Sequence, residues 1–358
     1  MKRISLISVL LVLLVTGIGC PNKPDSGKGD GKVNPPPVPT VVTIRIGYVA
    51  NDLINSHIGQ ILTYSNILEA NYLKGDLKIY NSDAELIAGL NSGALDAVFT
   101  TDFNGMTILG KGYNGLVLGS LGVTGRTVIF ARQPKSPDEK PMVSAQDLKG
   151  KKIGVPLGTM IHRDLLAELK RQIVPLDSLQ IIDVTGTAAE LIKRLSPDDL
   201  DAVGLVYPEA IAYEYEGENP RPTPVDGRFY SVIIISKDFY LKNTEPAKRF
   251  ILALKQSAFY LATHHGEVNK LVQKISQLPE NIINAGAMIN GNYRAQALKD
   301  ISLVAYPGPL NTTAQYLYQE KLVANALNVA DFLDPALQAE WTKLALYEPD
   351  KISLVPPK

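Results

Sequence analysis

Hydrophobic and polar positions alternate along this chain in a regular order. The apolar run Val41 to Val49 predicts a buried strand, and Ile58, Ile61, Leu62, Ile67 and Leu68 recur at helical spacing between Ile58 and Leu73. Strand-like segments follow at Leu77 to Tyr80, Ala94 to Thr100 and Leu116 to Leu121, separated by helical ones at Ala84 to Leu90 and Phe103 to Leu109. A charged, Pro-rich stretch from Arg132 to Pro141 interrupts the series as a surface loop. The alternation then resumes: strands at Lys151 to Val155, Leu179 to Val184 and Ala202 to Val206, helices at Thr159 to Ile173 and Ala188 to Leu195. A polar loop is expected from Glu214 to Arg228, then a strand at Phe229 to Ile235. Beyond that the pattern is helical, at Pro246 to Thr263, Gly266 to Ser276, Glu280 to Ile289, Thr313 to Asn325 and Pro335 to Leu346. Such alternation predicts an α/β fold with mostly parallel sheets flanked by helices.

Two alternating runs joined near Thr127 to Phe130 and Phe229 to Ile235 predict two lobes, each with its own sheet, the second inserted in the first. The boundaries expected are 41–130 for the first part of lobe 1, 131–230 for lobe 2, and 231–358 for the return to lobe 1 with the C-terminal helices. Two crossings make a hinge. Ligands of open α/β sheets sit beyond the carboxyl ends of the strands, so the strand-end loops of both lobes should surround one cleft.

The amino-terminal segment reads differently. Lys2 and Arg3 precede an apolar run from Ile4 to Val15, which predicts a signal peptide over residues 1–19. The run is shorter than the roughly 20 residues a membrane-spanning helix needs. Gly17-Ile18-Gly19-Cys20 follows, and Cys20 is the single cysteine of the chain, which excludes an internal disulfide. Residues 20–40, rich in Pro, Gly and charge, read as a tether. Basic and acidic residues number 36 each, and losing Lys2 and Arg3 with the leader leaves 34 basic, so nothing suggests nucleic acid.

Candidate site residues come from the strand ends. After the first strand stand Asn51, Asp52, Asn55, Ser56 and His57; Asn55 or Ser56 serves equally as an N-cap, and His57 should lie in the helix's first turn, facing the cleft. Thr101 and Asp102 open a helix whose N–H groups can receive an anion, unless Asp102 only caps it. Arg126 presents a planar fork suited to a sulfonate, phosphate or carboxylate. Gly158, Thr159 and Met160 join a strand to a helix with close backbone approach and a hydroxyl, and His162 sits in the same turn. Tyr207 can stack on a planar ligand. His264 and His265 are adjacent and have no third ligand at metal spacing, and the four histidines assemble no catalytic constellation, so neither metal nor cofactor is expected.

The order of segments resembles the type II periplasmic binding proteins, in the lipoprotein branch that takes sulfonates, taurine, nitrate, bicarbonate or thiamine precursors. The stretches that carry it are IRIGYV at Ile44 to Val49, ELIAGLNSGALDAVF at Glu85 to Phe99, DLKGKKIGVPLG at Asp147 to Gly158, DAVGLVYPE at Asp201 to Glu209, and Phe239 to Asn284 with Asn243-Thr244-Glu245-Pro246 ahead of a long helix. Where relatives often have Trp-Glu-Pro this chain has Tyr207-Pro208-Glu209, which keeps an aromatic wall and puts the role of Glu209 in question. Gly17 to Cys20 resembles a lipobox with Gly and Ile in the usual Leu and Ala or Ser places, implying acylation of Cys20. The resemblance implies an exported, lipid-anchored, monomeric receptor that is not an enzyme, closing on a small solute such as a sulfonate, nitrate, bicarbonate or pyrimidine and handing it to an ABC permease. The same fold serves enzymes of menaquinone and thiamine-pyrimidine formation, and a ligand-sensing lipoprotein is a third reading.

Overall fold

The computed structural model describes residues 38–49, 52–207, 210–214, 221–289, 307–343 and 348–357. The predicted leader, Cys20 and most of the tether therefore lie outside the described residues, as do Asn51 and Glu209.

Strand β1 (Val42–Val49) is followed by helices α1 (Leu53–Tyr64) and α2 (Ile67–Ala70), then β2 (Leu73–Tyr80), α3 (Asp83–Asn91), β3 (Ala97–Thr101), α4 (Asp102–Gly110) and the long strand β4 (Gly115–Ala131). Next come β5 (Lys152–Val155), α5 (Met160–Arg171), β6 (Gln180–Asp183), α6 (Ala188–Lys193), β7 (Ala202–Val206), α7 (Ile211–Glu214) and β8 (Arg221–Ser236). Helices α8 (Lys237–Lys242), α9 (Thr244–Ser276), α10 (Glu280–Ile289), α11 (Pro307–Gln319) and α12 (Pro335–Thr342) complete the order.

Among the described residues, β1 to β8 form one sheet in the order β2-β1-β3-β8-β4-β7-β5-β6. β1 pairs in parallel with β2 and β3, and β5 with β6 and β7, whereas β3–β8, β4–β8 and β4–β7 are antiparallel. The expected pair of separate sheets is thus corrected to one hydrogen-bonded sheet. The reason is that the crossings are themselves a ladder: β4 and β8 pair from Gly115 opposite Ser236 to Ala131 opposite Arg221. That ladder shifts register four times, between Val117 and Gly119, Gly119 and Gly122, Val123 and Gly125, and Val128 and Ile129. The polar loop expected from Glu214 to Arg228 is also corrected, because β8 already begins at Arg221.

Side-chain packing is divided even though the sheet is not. Alternating strand residues point to opposite faces, so Ile44, Ile46, Tyr48 and Phe99 join one cluster with α1, α9 and α12, while Val98, Val232 and Ile234 join another with α3, α4 and α11. Both clusters draw on residues up to Leu121 and from Val232 onward; we call them the first packing group. Two further clusters run from Val128 to Ile211, one centred on Ile129, Ile161, Leu165 and Leu169 and the other on Val128, Phe130, Val203 and Leu205. These form the second packing group. Burying each such aliphatic is worth about 1.5–3 kcal/mol, so a one-residue slip in β1 or β4 would forfeit a whole face.

The two helices expected at 246–263 and 266–276 merge into α9, which is bent where His264 leaves helical geometry (φ −125°, ψ 28°). There Thr263 Oγ1 donates to the carbonyl of Phe259 at 2.9 Å and the His264 ring stacks on Tyr260 at 4.3 Å. Trp341 of α12 is buried on the sheet, donating from Nε1 to Leu118 O at 2.7 Å. A Cβ at Gly119 would lie 2.2 Å from that indole, so only glycine fits beneath it.

Candidate functional site

The carboxyl ends of β1, β3, β5 and β7, with the bulged middle of β4 and β8, carry most of the expected site residues. They form several contact sets.

The first lies at the start of α1. Asp52 precedes the helix without capping it by its side chain. Its carboxylate accepts from Asn55 Nδ2 at 2.6 Å and from Thr124 Oγ1 of β4. Asn55 Nδ2 also reaches Thr100 O at 3.2 Å, and Asn55 Oδ1 accepts from Ser231 Oγ. Burial pushes the Asp52 carboxyl up to about 7, with Thr124 opposing. Ser56, one turn from Asp52, and Thr100 are both 1% exposed, and neither hydroxyl has a partner among the described residues. Neither Asn55 nor Ser56 is an N-cap, because α1 begins before them, at Leu53.

His57 requires a correction. It is the fifth residue of α1 rather than a first-turn residue, is fully buried, and bonds Leu53 O at 2.5 Å through Nδ1 and Asn269 Oδ1 at 2.9 Å through Nε2. Nδ1 thus turns back within α1 and Nε2 ties α1 to α9, so both ring nitrogens are engaged inside the fold. Burial lowers its pKa.

The second set surrounds Asp102. Thr101, not Asp102, caps α4, its hydroxyl accepting from Asn104 N at 3.2 Å. Asp102 is buried, accepts Tyr230 N–H at 2.9 Å through Oδ1, and receives Arg163 Nη1 at 2.6 Å and Thr313 Oγ1 at 2.7 Å through Oδ2. Arg163 Nε donates to Asp164 Oδ1 at 2.8 Å, and Thr127 Oγ1 donates to Asp164 Oδ2 at 2.6 Å. Burial works against the Arg163 charge, but the Asp102 and Asp164 carboxylates outweigh it and raise its pKa. An anion receiver was expected here; the chain's own carboxylate already stands at the α4 start.

Arg126 and Tyr207 form the third set. Arg126 Nη2 donates to Tyr207 Oη at 2.6 Å, and its guanidinium carbon lies 4.3 Å from the ring centre. Tyr207 N also donates to Arg126 O at 3.0 Å. In the β4–β8 ladder Arg126 stands opposite Arg228, an exposed residue not singled out by sequence.

The fourth set is the start of α5. Gly158 adopts φ +71°, which accounts for the glycine. Thr159 turns its hydroxyl back to Pro156 O at 2.7 Å, and Met160 packs between clusters of both groups. His162 Nδ1 bonds Tyr316 Oη of α11 at 2.8 Å, and burial lowers the pKa of this histidine. This end of α5 is thus in contact with α11 rather than open.

Sequence reasoning missed Arg163, Asp164, Thr124 and Thr313. Sequence pattern gives no signal for Arg163, which falls on the face opposite the Ile161, Leu165 and Leu169 stripe, where a charged residue is ordinary; only the packing of α5 shows it to be buried. Among the described residues no cluster of His, Cys, Asp or Glu is arranged to hold a metal, and no helix is long and apolar enough to cross a membrane.

Residues 127–267 match the model of the family described as NMT1/THI5 like. Proteins of Brucella abortus and Brucella suis, each named "Putative binding protein", are 24% identical over 223 residues, which is 60% of this chain and 66% of theirs. The chain thus aligns with slightly less than two thirds of those relatives. Among solved structures, the periplasmic aliphatic sulphonate binding protein SsuA of Escherichia coli is similar with a TM-score of 0.65 and 17% identity, covering 84% of this chain and all 100% of SsuA. The desulfurization enzyme DszB, solved as a mutant in complex with biphenyl-2-sulfinic acid, gives a TM-score of 0.62 and 16% identity over 84% of this chain and 98% of DszB. The fold is therefore that of the periplasmic binding proteins, which receptors and at least one enzyme share.

Proposed function

We propose that the chain is an extracytoplasmic solute receptor of an ABC transporter, not an enzyme, in which the two packing groups act as lobes that close on a small molecule. The observation that carries this reading is that polar side chains of both groups attach to β4 two residues apart: Asp52, with Asn55 beside it, bonds Thr124, and Tyr207 bonds Arg126. Two buried hydroxyls without partners, on Ser56 and Thr100, lie in the first of the contact sets and are suited to donate to or accept from a solute. The bulges between Val117 and Gly125 supply the flexible stretch. The fold similarity to SsuA, and the Brucella relatives' naming as binding proteins, support the same class of role.

In this reading the leader over 1–19 exports the chain, Cys20 is acylated, and residues 20–40 tether the receptor near its permease. The solute is a small organic or inorganic ion or heterocycle of the sulfonate, nitrate, bicarbonate or pyrimidine type. Arg126 provides the anion-directed fork and Tyr207 the aromatic wall. A thermal-shift screen of the purified chain with sulfonates, nitrate, bicarbonate, pyrimidines and amino acids tests the proposal. One class should raise the melting temperature with the logarithm of its concentration above Kd. A flat response across the panel, or turnover of any compound, would sink the receptor reading.

A further inference from the structure

Asp102 and Arg163 belong to different packing groups. Asp102 opens α4, whose Phe103, Met106, Ile108 and Leu109 lie in a cluster of the first group together with Leu310, Ala314 and Leu317 of α11. Arg163 lies in α5, whose Ile161, Leu165 and Leu169 lie in the second. Their contact at 2.6 Å is an ion pair that joins the two groups, whereas Arg45–Asp96, Arg132–Asp201 and Arg194–Asp199 each stay within one. Side-chain exposure at this pair is 5% for Arg163 and 1% for Asp102.

Thr313 of α11 completes the contact. Its Oγ1 lies 2.6 Å from Arg163 Nη1 and 2.7 Å from Asp102 Oδ2, so one hydroxyl accepts from the cation and donates to the carboxylate. Three elements thus meet at one point, and a second contact of the same helices, Tyr316 with His162, lies one turn further along α11. The apolar side chains that α5 sends to the first group, Met160 and Leu166, are only partly buried, so the polar contacts carry much of the joint.

We infer that the Asp102–Arg163 pair, bridged by Thr313, is a latch that holds the two groups together, and that Arg163 is a positioning residue for solute binding. Separating the groups would return both charges to water, where each is well solvated. Bringing them together trades that solvation for a short, triply bonded pair, an exchange that comes out near balance. A near-balanced contact is what a two-state receptor needs, because a solute then shifts the populations with modest binding energy. Asp164 keeps the guanidinium aimed at Asp102 in either state, since its bond to Arg163 lies within α5.

The inference rests on the receptor reading for its affinity arm and stands apart from it in its shape arm. Asp102→Asn keeps the volume and removes the charge, and Thr313→Val removes only the bridging hydroxyl. Small-angle scattering of the solute-free full chain should show a larger radius of gyration for D102N than for the unsubstituted protein, with T313V between them. Affinity for whichever compound the thermal-shift panel identifies should fall about ten-fold or more in D102N, because apparent Kd rises as the competent population shrinks. Unchanged radius in both variants overturns the latch, even if they melt earlier, since a lower melting temperature alone marks a merely structural pair. If the panel yields no solute but the radius grows, the receptor reading falls and the latch stands. If a solute binds with equal affinity to D102N, the positioning role falls.

Discussion

The Arg126 guanidinium lies close enough over the Tyr207 ring to stack at 4.3 Å while still donating to its hydroxyl at 2.6 Å, and this joins β4 to the residue that follows its antiparallel neighbour β7. Such a stack is worth about 0.5–2 kcal/mol, so it fixes the fork's direction without neutralising its charge. Tyr207→Phe should leave solute affinity within a few-fold, because the ring remains. Tyr207→Ala should weaken it about ten-fold, measured by calorimetry with the solute that stabilises the parent chain. Equal affinities for the parent and Tyr207→Ala would remove Tyr207 from the site.

Two buried titratable groups give opposite pH dependences. His57 has a lowered pKa, so the unfolded chain binds more protons on acidification; its contribution is intact above the ordinary histidine range and is lost as pH falls through it. Asp52 is raised to about 7 from an ordinary 3.8, so its contribution is present below the ordinary value and lost as pH rises towards 7. Urea midpoints between pH 4 and 8 should therefore show Asp52→Asn gaining on the parent as pH rises. A constant difference between them would contradict the burial of this carboxyl.

Ile173 closes α5 in left-handed geometry, φ +54°, with 86% of its side chain exposed. Val174 N–H bonds Leu169 O at 2.8 Å and Ile173 N–H bonds Lys170 O at 3.1 Å, a pairing that glycine adopts without strain. Ile173→Gly should stabilise the fold by ~1 kcal/mol, read as a higher melting temperature. A fall in melting temperature would show that the isoleucine makes a contact of value.

Gly119 lies under Trp341, with space for no side chain. Gly119→Ala should cost about 1–3 kcal/mol through overpacking. Trp341→Phe in the same chain should recover part of that loss, since it withdraws the larger ring system. Absence of any recovery in the double variant, by thermal melting, would mean the penalty comes from the bulge itself.

Cys20→Ser should move the chain from the membrane fraction to the soluble exported fraction without changing the fold. Retention in the membrane fraction would show that something other than acylation holds it there.

Much of the fold was legible because the alternation of buried strands and amphipathic helices is a local signal. Ile44, Ile46 and Tyr48 mark β1 by period two, and every strand expected up to Ala202 to Val206 is present, with ends shifted by a few residues. The β4–β8 ladder was not legible as one continuous unit. Thr127 to Phe130 and Leu116 to Leu121 look like two strands because Gly119, Ser120, Gly122, Thr124 and Gly125 break the apolar run, and only pairing with β8 holds them as one. Position along the chain placed Asp52, Asp102 and Tyr207 at strand ends, whereas Arg126, expected after a strand ending at Leu121, stands inside β4. Position could not show that Asp102 is engaged by Arg163, since that contact joins residues 61 apart. Nor could it show that His57 serves packing, because its partner Asn269 is 212 residues away.

The paired crossing of β4 and β8 also limits what kind of movement the chain can make. Two strands bonded rung by rung resist being pulled apart or slid past one another, because either would break many bonds at once, yet they twist easily where rungs are skipped. Any opening should therefore resemble a door turning on its post, with the far edges travelling most and the residues beside the post, Thr124 and Arg126 among them, hardly travelling at all.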